Sequence, residues 1–140
     1  MDIKSILVAF DGSEPSDRAL AFAEDLAAKY GAQLLLVMVL QPIVTNGLVP
    51  MPESPTKEEL AGAQQALDQR ARDLRARGRS IEVQVEVGFP ARTLLEVAER
   101  FDVSVIVAGR SGKGTIGRIV LGSVTTALLH HSTKPVIVVP

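Results

Sequence analysis

Residues 103–123 read Val-Ser-Val-Ile-Val-Ala-Gly-Arg-Ser-Gly-Lys-Gly-Thr-Ile-Gly-Arg-Ile-Val-Leu-Gly-Ser, a β-branched run, a glycine-rich stretch and a serine. Val103 to Ala108 is the most strand-like segment in the chain, and Ser123 opens a helical stretch reaching about His131. Val136 to Val139 follows as a final strand. The same unit recurs upstream. Ile3 to Phe10 is a short apolar run broken by Asp11-Gly12-Ser13, with Ser13 placed to cap a helix that ends at Gly31. Ala19, Phe22, Ala23, Leu26, Ala27 and Tyr30 recur on that helix at helical spacing. Leu34 to Leu40 does not alternate and reads as a strand buried on both faces, closed by Pro42. Thr56 to Glu59 has the capping-box form and starts a polar helix to about Arg77, ended by Gly78. Ile81, Val83, Val85 and Val87 alternate with polar residues, and Pro90 starts a helix with Ala91, Leu94, Leu95, Ala98 and Phe101 inward.

Five strands therefore alternate with four helices. Right-handed crossovers turn that order into an α/β fold: one doubly wound, five-stranded parallel sheet with helices on both faces, in a single domain over residues 1–140. With strand order 3-2-1-4-5, the turns after the first and fourth strands face one crevice where the winding reverses, the usual place for a ligand. Residues 41–55, rich in proline, read as a mobile loop.

Composition narrows the function. Fifteen Lys and Arg against sixteen Asp and Glu leave a formal charge of -1, which excludes a diffuse basic surface for nucleic acid. Arg70, Arg72, Arg75 and Arg77 are interleaved with acids and read as a solvated helix face. No cysteine is present, so a disulfide scaffold, a zinc ribbon and a thiol nucleophile are excluded. His130 and His131 are adjacent, poor spacing for a metal site, and suit a helix C-terminus. The aliphatic run Leu34–Leu40 is far short of a membrane helix, and Asp2 and Asp11 interrupt any signal-peptide pattern. The expectation is a cytoplasmic protein bound to neither membrane nor nucleic acid.

Five glycines in the fourteen residues 109–122 bring backbone N–H groups toward a ligand without an intervening Cβ, and the helix N-terminus adds a positive pole. That combination suits the phosphates of a nucleotide. Ser-Gly-Lys-Gly-Thr at 111–115 looks like the end of a Walker A loop, but its leading glycine would fall on Val107, inside the strand. Gly109, Gly112 and Gly114 do not give the dinucleotide fingerprint.

Gly109-x-x-Gly112, nine residues, then Gly122-Ser123 resembles the ATP-binding motif of the universal stress protein family. Val8-Ala9-Phe10-Asp11-Gly12-Ser13, Leu34 to Pro42, Gly88-Phe89-Pro90-Ala91 and Lys134 to Val139 extend the resemblance over essentially the whole chain. The family divides into members that keep the loop and bind ATP and members that lack it. This chain resembles the first branch. The resemblance implies Gly109 and Gly112 on the ribose and triphosphate side, and Gly122, Ser123 and Val124 on phosphate through N–H groups and the Ser hydroxyl. It implies Asp11 at the nucleoside end and the Val39 main chain on adenine, while Ala9 matches a position where relatives often carry another small residue. On charge grounds Lys113 and Arg110 join them, since a triphosphate brings about four negative charges. Mg2+ or Mn2+ is expected with the phosphates, held mainly by them and by water.

Other readings of these residues stand beside this one. Asp11 also fits a turn that caps the following helix, and Ser123 caps its helix with or without a ligand. A nucleotide-dependent stress-response or signalling module is the leading reading. A slow ATPase or phosphotransferase is the alternative, against which no Walker B pattern and no base other than Asp11 stands in the sequence. A ligand-free dimeric interaction module is the third. The aliphatic edge strand at 136–139 lacks an inward charge and is expected to pair two copies into a homodimer, as the family resemblance also implies.

Overall fold

The computed structural model describes residues 2–42, 47, 55–110 and 121–140. The strands are β1 (Ser5–Ala9), β2 (Gln33–Leu40), β3 (Ile81–Val87), β4 (Val105–Gly109) and β5 (Val136–Val139). The helices are α1 (Glu14–Tyr30), α2 (Lys57–Ala76), α3 (Pro90–Arg100) and α4 (Ser123–His131). All pairings are parallel, as the alternation of elements requires, and the order is β3-β2-β1-β4-β5, the expected one. The mobile loop expected at 41–55 lies almost entirely outside the described residues.

The local signals explain where elements begin and stop. Ser13 accepts a hydrogen bond from Ser16 N at the head of α1, and Gly31 ends that helix at φ 65°, a left-handed conformation open to glycine at little cost. Thr56 accepts from Glu59 N at the head of α2. Two apolar layers follow from the strand pleat. Ile6, Val8, Phe10, Leu34 and Leu36 pack with Leu67 and Leu74 of α2 and the alanines of α1. Leu7, Leu35, Val37 and Ile106 pack with Leu94 and Val97 of α3 and Leu128 of α4.

Helix faces depart from the expectation in two places. On α1 the buried residues are Ser16, Ala19, Leu20, Ala23 and Ala27, whereas Phe22 and Tyr30 are exposed. Small side chains let α1 lie close on the sheet, which turns the bulky residues to its flank. On α3 Thr93, Leu94, Val97 and Ala98 are buried, while Phe101 has passed the helix end and is exposed. Two arginines of the run reach α1, Arg70 pairing with Asp17 and Arg77 with Glu24, which also takes Arg79 from beyond α2, while Arg75 donates to Ile81 O. Arg77 holds the Glu24 carboxyl below its usual range, with Arg79 adding to the effect against partial burial.

Candidate functional site

The turn after β1 is built by its own side chains. Asp11 Oδ1 accepts from Ser13 N at 2.9 Å and from the Ser13 hydroxyl, an Asx-type turn with Gly12 at φ 82°. Ser16 is buried, and its hydroxyl donates to Ser13 O at 2.8 Å. The capping reading of Asp11 is thus realised through one carboxylate oxygen.

Across the crevice, β4 ends at Gly109. A Cβ there would lie 2.8 Å from the backbone carbonyl carbon and oxygen of Pro15, so glycine is demanded by the approach of α1. Thr125 Oγ1 donates to Gly109 O at 2.8 Å and fixes the first turn of α4 against the end of β4. The N-cap of α4 is Gly122, not Ser123, and no side chain among the described residues caps this helix. Ser123 occupies the first helical position, which replaces the capping role expected for its hydroxyl. Gly122 N donates to Arg110 O at 2.8 Å, so its N–H is already engaged, and the first-turn donors beyond it belong to Ser123, Val124 and Thr125. Gly122 has φ -64° and ψ 159°, a conformation open to any residue.

On the third side the backbone of β2 runs past β1. Gln33 N bonds Lys4 O and Phe10 N bonds Val37 O, so odd residues of β2 turn their peptide groups toward β1. Val39 continues that parity two residues beyond the last β1 pairing, Ala9 with Val37. Its N–H and C=O therefore face the crevice.

These parts enclose a cleft of about 360 Å³ at the carboxyl ends of the strands. Of the residues singled out in the sequence, Ala9, Asp11, Val39, Gly109, Gly122, Ser123 and Val124 line it together. Gly112 and Lys113 lie outside the described residues. Arg110 supplies main-chain bonds at the rim and is not among the described lining residues. Sequence reasoning missed Ser16, Val37, Pro90, Leu94 and Thr125, which also line the cleft. Only Pro90 carried a signal, as the first residue of a helix starting at the same end of the sheet. Among the described residues no cluster of three or more His, Asp or Glu side chains forms a metal site, and no helix is long and apolar enough to cross a membrane.

A doubly wound parallel sheet with an open cleft at its switch point, one side formed by a helix N-terminus, defines an α/β protein with its cleft at the usual ligand position of that fold. Residues 2–140 match the universal stress protein family, and the chain belongs to it. It is 32% identical to a universal stress protein of Thermus aquaticus, over 97% of this chain and 98% of the relative. It is 29% identical to one of Mycolicibacterium smegmatis, over 96% of this chain but only 47% of that relative, so it spans about half that protein's length. The fold is shared with the solved universal stress protein UspA from Lactobacillus plantarum, at TM-score 0.88 and 25% identity over 100% of this chain and 99% of that one. A crystal structure of a universal stress protein in complex with cAMP matches at TM-score 0.74 and 28% identity, over 100% of this chain and 99% of that one.

Proposed function

We propose that the cleft binds an adenine nucleotide, ATP in the first place, and that the protein works as a nucleotide-dependent stress-response or signalling module. The observation that carries this is the meeting of two unlike recognition elements in one cleft. Apolar walls at Val37, Leu94 and Pro90 lie beside the peptide edge of Val39, which offers one donor and one acceptor as an adenine edge requires. The start of α4 presents the N–H groups of Ser123 and Val124 to an anion. The cAMP complex of a relative 28% identical supports an adenine nucleotide as the ligand class.

Within this reading Asp11 serves the nucleoside end with the carboxylate oxygen that Ser13 leaves over. Gly109 and Gly112 stand at the ribose and phosphate side, Ser123 and Val124 donate to phosphate, and Lys113 with Arg110 adds positive charge. Gly122 contributes room more than a donor, because its N–H already holds Arg110 O. Mg2+ fits as a companion of the phosphates. Asp11 is the only carboxylate among the described lining residues, so the phosphates and water would fill most of its octahedral shell. The protein acts as a homodimer joined at residues 136–139, in the cytoplasm, with neither nucleic acid nor membrane as partner.

The test is mass-spectrometric identification of ligand carried through purification, followed by calorimetric titration with ATP. Micromolar-range binding lost in Gly122→Val supports the reading. A folded Gly122→Val protein with undiminished affinity overturns the phosphate-site assignment.

A further inference from the structure

The rim of the cleft and the free edge of the sheet share one run of hydrogen bonds. Arg110 N donates to Val139 O at 2.8 Å, the last bond holding β5, and Arg110 O accepts from Gly122 N at 2.8 Å, the bond that seats the start of α4. Gly109, in register with Val139, is held in turn by Thr125 Oγ1. At the other side Arg18 Nε donates to Pro140 O at 3.0 Å. Gly109, Gly122 and Thr125 line the cleft, while β5 is a four-residue strand bonded to the sheet along one side only.

From this arrangement we infer that pairing of two copies along β5 and occupancy of the cleft are energetically coupled. A short edge strand is the part of a sheet that opens at least cost. When β5 frays from its end, the Arg110–Val139 bond goes first, and the residue that carries it also seats Gly122. A nucleotide needs the rim ordered, and a second copy needs the strand ordered. Each event meets the ordering cost of the same segment, so whichever comes second is favoured. Reciprocity then requires that each bound nucleotide tighten the dimer by the factor by which dimerisation tightens its binding, so two tighten it by the square of that factor. The inference rests on the nucleotide reading above and on edge pairing, and its test separates the three.

ATP affinity is measured by titration calorimetry on the wild type held well above and well below its dimer dissociation concentration, and on Val138→Glu. The dimer constant is measured by sedimentation with and without saturating ATP. Hydrogen exchange of the Arg110 and Gly122 amides is followed in nucleotide-free monomer and dimer. The expected result is at least about fivefold weaker ATP binding in the monomer, the square of that factor (about 25-fold) in the dimer constant with both sites filled, and slower exchange of both amides in the dimer. Equal ATP affinity in monomer and dimer overturns the coupling while leaving binding and assembly intact. Absence of ATP binding in either state overturns the nucleotide reading itself. A wild type that stays monomeric at all concentrations overturns edge pairing and the coupling with it.

Discussion

Gly109, at the end of β4, and Gly122, before α4, answer to different physics. Gly109 is closed off by the backbone of Pro15, so Gly109→Ala must push α1 away from β4. A loss of about 1–3 kcal/mol in denaturant unfolding is expected from such overpacking. Gly122 has ordinary dihedral angles, so the backbone itself admits a larger residue there. Gly122→Val should cost no more than about 1 kcal/mol of stability, as a poorer N-cap, and remove ATP binding in titration. Oδ1 of Asp11 holds the Ser13 turn, and in the proposed reading its other oxygen serves the nucleoside. Asp11→Asn can keep an oxygen at the turn and should weaken adenosine and ATP by a similar factor, about tenfold, for loss of one charge-assisted hydrogen bond. A loss confined to ATP would move Asp11 to the metal.

At the scale of elements, α1 and α2 are clamped by Glu24, which receives Arg77 at 2.8 Å and Arg79 at 3.1 Å. The clamp holds the Glu24 carboxyl below its ordinary value of 4.5 in the folded protein. A depressed carboxylate contributes stability that is complete above that ordinary value and disappears as the pH falls through the folded one. Wild type should therefore lose stability on acidification over that window, and Glu24→Gln should be less stable at neutral pH with a flatter acid limb. Parallel curves for the two proteins from pH 7 to pH 3 would refute the clamp. The α1 face also shows how the 3.6-residue period misleads when small residues dominate. Alanine gives a weak pattern, so Phe22 and Tyr30 looked inward, and only the close seat of α1 on the sheet decided otherwise.

For the whole molecule, the two sheet edges are unlike. Ile106 N bonds Pro135 O and Arg110 N bonds Val139 O, so the peptide groups of Val136 and Val138 point outward. Lys134 N and O are both bonded to the Ser132 hydroxyl, and Pro140 has no N–H. Only Val136 and Val138 remain to pair. An antiparallel copy satisfies both when the two-fold axis passes Ile137, with Val136 opposite Val138 of the second copy. Both layers supply an apolar flank. Thr125 is tied to Gly109, level with Val139, and Leu129 lies about 6 Å further along α4, level with Ile137. Pro15 abuts Gly109, and Phe22 follows about 10 Å along α1, on the flank opposite the α2 ion pairs and level with Val136. Phe22 is 42% and Leu129 46% exposed in the single chain. At the opposite edge, Glu82 and Glu86 on β3 discourage a similar pairing. Light scattering should give a dimer for wild type and a monomer for Ile137→Lys. Phe22→Ser and Leu129→Ser should each weaken the dimer about tenfold or more, for loss of a large buried apolar group. Charged-edge variants that dimerise as well as wild type would reject this interface.

Although the strand pairings alone settle the 3-2-1-4-5 order among windings with the same alternation, the amino-acid order by itself determined the alternation of strands and helices and hence the parallel sheet. Those depend on apolar runs, caps and crossover handedness, all local or topological. It also marked the two distinctive turns, after β1 and β4, that this strand order brings to one crevice. What only the tertiary structure decided were facts of approach between segments far apart in the chain. Val39 exposes its peptide edge because β2 outruns β1, and Gly109 is glycine because Pro15 comes close. Gly122 takes the cap position from Ser123, and Thr125 holds α4 to β4. None of these is written in residue type or spacing, because each depends on where two elements stop relative to one another once the core has set their distance.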